Sequence, residues 1–157
     1  MPSQLSDSDI TALLAETKPL PEDYQSRLQL RPKSGHKERE LDVTSAAGSD
    51  FQLIVRQSLF NPLDFSVILG YLMPGSNVLF RLKRYNGRSH QHTNRIEGNT
   101  FYDFHIHTAT ERYQAAGHEE DHYAETTDRF ADLGGAIRCM IQDCNFELPP
   151  GTQETLL

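Results

Sequence analysis

NVLFRLKRY (residues 77–85) and TFYDFHIHT (residues 100–108) are the two stretches on which the fold turns. Both alternate apolar and polar side chains with period two, and a strand sends successive side chains to opposite faces of its sheet. In the second stretch Tyr102, Phe104 and Ile106 point one way, and Asp103, His105 and His107 the other. In the first, Val78, Phe80 and Leu82 form the apolar set and leave Arg81, Lys83 and Tyr85 opposite. As sheet neighbours, the two strands place Arg81, Lys83, Tyr85, Asp103, His105 and His107 on one polar face, with Arg56 from an earlier strand joining them. Asn86-Gly87 marks a turn at the end of the first stretch.

Working outward, RELDVT (39–44), the turn AAGSD (46–50) and FQLIVRQS (51–58) read as a hairpin, and the nearly all-apolar run 64–73 reads as a central strand. Sequential antiparallel neighbours make a meander of about five strands. Phe130, Leu133, Ile137, Met140 and Ile141 recur at helical spacing and predict a helix over 125–143 capped by Thr126 or Thr127, with Gly134-Gly135 at a close approach to the sheet. Residues 109–116 predict a short helical turn closed by Gly117. At the other end Ser6 predicts the cap of a short helix carrying Ile10, Leu13 and Leu14, followed by an extended connector to His36. The expected class is therefore α+β, an antiparallel sheet packed against a C-terminal helix. The expected division is an N-terminal helix and connector (1–36), one α+β domain (37–148) and a flexible tail (149–157).

A chain of 157 residues closes one core without staples. The longest apolar run, Phe65 to Met73, stops at Pro74 and is too short to span a bilayer. The N-terminus lacks a signal-peptide pattern, so a cytoplasmic protein with no membrane partner is expected. Cys139 and Cys144 lie five apart on the predicted helix, on different faces, and are expected as reduced thiols. Charge is uneven. Residues 77–113 hold six basic residues (Arg81, Lys83, Arg84, Arg88, Arg95, Arg112) against three acids (Glu97, Asp103, Glu111), in a chain of net charge −7. That asymmetry fits either an anion site or a basic segment that pairs with the acidic rest.

Two chemistries compete for the histidine face. In the leading one, His105 and His107, with His90 and His92 nearby, serve as general acid and base on a phosphodiester. Arg81, Lys83, Arg88 and Arg56 bind the anion, Tyr85 orients it and Asp103 fixes a tautomer. No cofactor is needed, and RNA is the natural substrate because its 2′-hydroxyl is an internal nucleophile. In the other, the H-x-H pairs His90/His92 and His105/His107 hold a divalent transition metal, since alternate residues of a strand put both rings on one side. A third reading makes the chain a non-enzymatic phage or mobile-element interaction protein whose acidic residues Asp7, Asp9, Glu119, Glu120 and Asp121 engage a protein partner. His118-Glu119-Glu120-Asp121-His122 formally matches the zinc-protease pattern, but two charged residues in its middle and no apolar helix around it argue for a coincidence.

The pattern Phe51-x-Leu53-x-Val55-Arg56-x-Ser58, Asp64-Phe65-Ser66-Val67, Tyr85-Asn86-Gly87, His90-x-His92-x-Asn94 and Phe104-His105-Ile106-His107 resembles a family of small bacterial and phage proteins of uncharacterised activity. More distantly, the basic-aromatic strand, the YN turn and H-x-H are similar to the TumE-type toxins of toxin–antitoxin pairs. That second resemblance implies a ribonuclease-like or RNA-binding toxin, a cognate protein partner, and His90, His92, His105 and His107 as the matching positions.

Overall fold

The computed structural model describes residues 4–151. Its elements run α1 (Asp7–Ala15), β1 (Lys18–Pro19), α2 (Tyr24–Arg27), β2 (Arg31–Pro32), β3 (His36–Thr44), β4 (Asp50–Ser58), β5 (Phe65–Leu72), β6 (Leu79–Asn86), β7 (His92–Thr93), β8 (Thr100–Phe101), β9 (His105–Thr108), α3 (Glu111–Ala115), β10 (Ala124–Thr126), α4 (Leu133–Asp143) and β11 (Phe146–Glu147). The class is α+β, as expected. The main sheet has seven strands in the order β10-β9-β6-β5-β4-β3-β2, and every neighbouring pair is antiparallel. β7 and β8 form a separate hairpin between β6 and β9.

One face of the sheet carries Leu41, Val43, Phe51, Leu53, Val55, Val67, Leu69 and Tyr85, all buried, and α4 packs on β5 and β6 with Ala136, Met140 and Ile141 inward. Phe130 joins this core through ring contacts with Phe65, Tyr85 and Phe104 at 5.8–6.1 Å. The helix begins eight residues later than its periodicity predicts. Residues 124–126 pair with β9 instead, and the Asp132 side chain caps α4 by accepting from the amide of Gly135 at 2.8 Å. Gly135 thus sits in the first turn, where a Cβ would come within 3.1 Å of Phe130 and Asp132; the close approach is to the helix's own entry loop, not to the sheet.

The segment expected as a connector is tied down. Leu20, Tyr24 and Leu28 are buried with Ile10 and Leu13 of α1, and β1 runs parallel to β11. Lys18 is fully buried: its ammonium donates to the carbonyls of Leu13, Leu14, Glu16 and Cys144 at 2.7–3.0 Å. It thereby satisfies the C-terminal ends of α1 and α4 together, where helices leave carbonyls unpaired and favour a cation. Ser6 caps α1 in a reciprocal box with Asp9. Both cysteines are buried free thiols. Of the expected tail, residues 152–157 lie outside the described residues. Among the described residues no helix is long and apolar enough to cross a membrane.

One irregularity decides what the other face presents. Leu69 pairs with Lys83 but Gly70 pairs with Arg81, so Leu82 is an extra residue in β6. A bulge of this kind shifts the side-chain phase. Arg81, Arg84 and Asn86 consequently share the face opposite α4, aligned with Gly70, Ile68 and Ser66.

Candidate metal centre

β9 brings His105 and His107 to the face opposite α4, where Asn86 and Arg84 are their direct cross-strand partners. Period-two alternation is right about these two histidines: neither joins the α4 side, toward which Phe104 and Ile106 pack. It is wrong about their neighbours, because the bulge intervenes. Tyr85, expected beside them, is buried in the core with its hydroxyl donating to Asp143 at 2.6 Å. Lys83 goes with Tyr85, its ammonium 5.9 Å from that ring. Arg81 is on the histidine face but is held by Glu119, Glu120 and Asp121 at 3.5–3.6 Å. Asp103 is exposed, and it is its backbone carbonyl that fixes His105.

The face is not open to water. The β7–β8 hairpin and the turn 117–123 lie over it, leaving His105 5% and His107 3% exposed. Asn94 pins that cover in place: buried, it donates to the carbonyl of Ala124 at 2.8 Å and accepts from the amide of the same residue at 2.9 Å, as a neighbouring strand would. The hairpin thereby drops His92 into the pair. Its ring centroid lies 5.5 Å from that of His105 and 4.8 Å from that of His107. One ring nitrogen from each of His92, His105 and His107 lies within 4.8 Å of the others.

The hydrogen bonds fix each tautomer. His105 Nδ1 faces the carbonyl of Asp103 at 2.7 Å and His107 Nδ1 faces the carbonyl of His122 at 3.2 Å. A carbonyl only accepts, so each Nδ1 carries the proton and each Nε2 is a lone pair. His92 Nε2 lies 2.9 Å from Asn94 Oδ1, whose identity as oxygen follows from the Ala124 amide donating to it. His92 Nε2 is therefore the donor and Nδ1 the lone pair. Burial lowers the pKa of all three rings, and the nearby Arg84 guanidinium adds to it; His107 is pushed down to about 2. Three neutral imidazoles, each with its second nitrogen donating to an oxygen, are the form in which histidine binds a metal. A tetrahedral ion at about 2.05 Å from each nitrogen would need them about 3.3 Å apart, so the rings would have to draw together from their 4.8 Å span to hold one.

Beside the trio is a cavity of about 270 Å³ lined by Arg84, Asn86, Ser89, His90 and His122 as well as the three rings. His90 is exposed and lines this cavity without joining the trio, so the four-histidine set expected from the two H-x-H pairs is reduced to three. His122 takes the nearer place, 4.9 Å from His92 between ring centroids, with Nε2 3.0 Å from the Thr93 carbonyl. The zinc-protease pattern is not formed, since residues 118–122 are a turn and not a helix.

Arg84 is the cationic wall. Its Nε donates to Asp121 Oδ2 at 3.1 Å, and among the described residues its terminal nitrogens hold no hydrogen bond. Asp121 is fully buried, with Oδ1 lacking a hydrogen-bond partner; burial raises its pKa against the pull of Arg84 and Arg81. Of the other expected anion-binding residues, Arg88 stacks over Tyr102 at 5.6 Å, and Arg56 is on the same face three strands from β9, paired with Glu38 at 3.0 Å. Much of the basic segment is thus neutralised by acids of the fold, Arg112 with Glu97 included. Residue pattern counts Arg84 only among the basic residues and meets His122 only in the discarded zinc-protease match; it places neither at the site, because no local signal marks the bulge or the return of residue 122.

No family model, curated protein or solved structure matches this chain.

Proposed function

We propose that His92, His105 and His107 form a three-histidine centre for a divalent transition metal, and that the chain uses it to hydrolyse a phosphodiester held against Arg84. The observation that carries this reading is the histidine trio itself: each ring spends a proton on an oxygen, and one ring nitrogen from each lies within 4.8 Å of the others. Three protein ligands with an open fourth position are the pattern of catalytic rather than structural zinc-like sites. A bound ion would supply a Lewis acid and a water that ionises near neutral pH. The rest belongs to the chain. Arg84, held by Asp121, offers its terminal N–H groups to oxygens on which charge develops, in a half-enclosed cavity where such donors act strongly.

A metal-free acid–base pair is the weaker reading of the same residues. General acid catalysis needs an imidazolium, and burial with Arg84 alongside disfavours the charged form of His105 and His107.

The test is elemental analysis of protein purified without a polyhistidine tag, paired with hydrolysis of bis(p-nitrophenyl) phosphate before and after chelation. Near-stoichiometric metal in the wild type, lost in His92→Ala and His107→Ala together with hydrolysis, is expected. A metal-free protein whose hydrolysis survives chelation sinks the proposal.

A further inference from the structure

The cavity beside the trio does not end at β6. A second cavity of about 240 Å³, lined by His36, Arg56, Gln57 and Ser58, shares Asp64, Phe65 and Ser66 with it as a common wall. The sheet register sets both on one face. His105, Asn86, Ser66, Arg56 and Glu38 are successive cross-strand partners on one face, so a single polar row leads from the histidine centre across β6, β5 and β4 to β3. His105 to Arg56 is three strand spacings, about 14 Å.

At the far end the half-buried Glu38 carboxylate is met by Arg56 at 3.0 Å, Lys33 at 3.3 Å and the His36 ring at 3.2 Å, so two full cations against one acid leave a single net positive charge there. The middle offers neutral donors and acceptors: Ser66 Oγ donates to Asn86 Oδ1 at 2.8 Å, which leaves the serine oxygen to accept and the asparagine amide to donate. Asp64 is the acid of the shared wall, accepting from Ser89 at 3.1 Å. The segments that adjoin this lining carry aromatics in water: Phe60 is 87% exposed on the loop between Ser58 and Asp64, and Tyr102 is 50% exposed beneath the Arg88 guanidinium, three residues before His105. That loop is held close. A Cβ on Gly87 would stand 1.9 Å from the Leu63 carbonyl oxygen, so only glycine lets the end of β6 pass beneath it.

Resting on the hydrolytic centre proposed above, we infer that the two cavities are one trench for single-stranded RNA, which lays its scissile phosphodiester beside the three histidines and a phosphate farther along the strand on Arg56, His36 and Lys33. An extended polyanion matches a cation at each end of the row, exposed rings on the adjoining segments match unstacked bases, and the hydroxyl and amide floor matches 2′-hydroxyl groups. A duplex does not fit, because its bases are turned away from such rings.

The deciding experiment measures anisotropy of a labelled single-stranded RNA oligonucleotide, the same sequence as DNA, and the RNA duplex. The protein is the full chain as purified, with metal content and bis(p-nitrophenyl) phosphate hydrolysis read on the same samples. Arg56→Gln is expected to weaken RNA binding roughly five-fold and to flatten its salt dependence, and Phe60→Ala to weaken it roughly ten-fold. Phe60→Ala leaves metal content and small-substrate hydrolysis unchanged. Wild-type affinity in both variants, or DNA or duplex bound as tightly as the single-stranded RNA, overturns the trench while a metal-loaded, hydrolytic protein keeps the centre. RNA affinity that falls in the variants of a protein without metal keeps the trench and overturns the centre.

Discussion

On one face of the central sheet Val55, Val67, Leu69 and Tyr85 are buried against α4; on the other His105 and His107 are buried almost as deeply under a hairpin and a turn. The first burial removes apolar surface from water and stabilises the fold by roughly 25 cal/mol per Å². The second removes imidazoles from water and is tolerable only because each ring's N–H finds an oxygen. Equal depth therefore has opposite energetic meaning. The α4 face holds the protein together, and the histidine face is carried by it.

That contrast can be broken from either side. The largest loss of stability is expected from Phe130→Ala, about 4 kcal/mol in chemical denaturation, because three aromatic neighbours on the α4 face lose a partner. Asp121→Ala is expected to cost about 3 kcal/mol, since it strands the half-buried guanidinium of Arg84 beneath the turn; Asp121→Asn, which keeps an acceptor, should recover part of this.

The histidine face also makes chelator-treated protein acid-labile. The His107 pKa is about 2 in the folded chain and near 6.5 unfolded, so between these values the unfolded state binds more protons. Stability is then full above pH 6.5 and falls on acidification, by about 2 kcal/mol between pH 6.5 and 5 from this ring alone, with His92 and His105 acting in the same direction. Denaturation midpoints measured at the two pH values should differ accordingly, and His107→Leu should flatten the difference.

Tyr85→Phe is expected to cost about 1 kcal/mol by thermal melting, as Asp143 keeps its two bonds to Arg129 at 2.7–2.8 Å. The smallest change in stability, within about 1 kcal/mol, is expected for His105→Leu, whose metal content should nevertheless collapse. If His105→Leu instead destabilised the chain as much as Phe130→Ala, the trio would be a packing feature and the contrast between the faces would disappear.

Alternation and capping are enough to read β3, β4, β5 and β6, the Ser6 cap of α1, the α+β class and the exclusion of His105 and His107 from the apolar core, because these depend on residues two to four apart along the chain; the single strand expected over 100–108 is instead β8, in a separate hairpin, and β9, and β2 and β10 extend the sheet to seven strands. The start of α4 was misread because residues 124–126 are taken by pairing with β9, which competes with local helical propensity. Only the tertiary structure decided the site's membership. A single extra residue at Leu82 exchanged Tyr85 and Lys83 for Arg84 and Asn86, and a buried asparagine brought His92 across from a separate hairpin. His122 entered through a turn whose partners are fifteen or more residues away. A bulge is a property of two paired strands and a tautomer is a property of the oxygen across from it, and neither exists until the chain has folded.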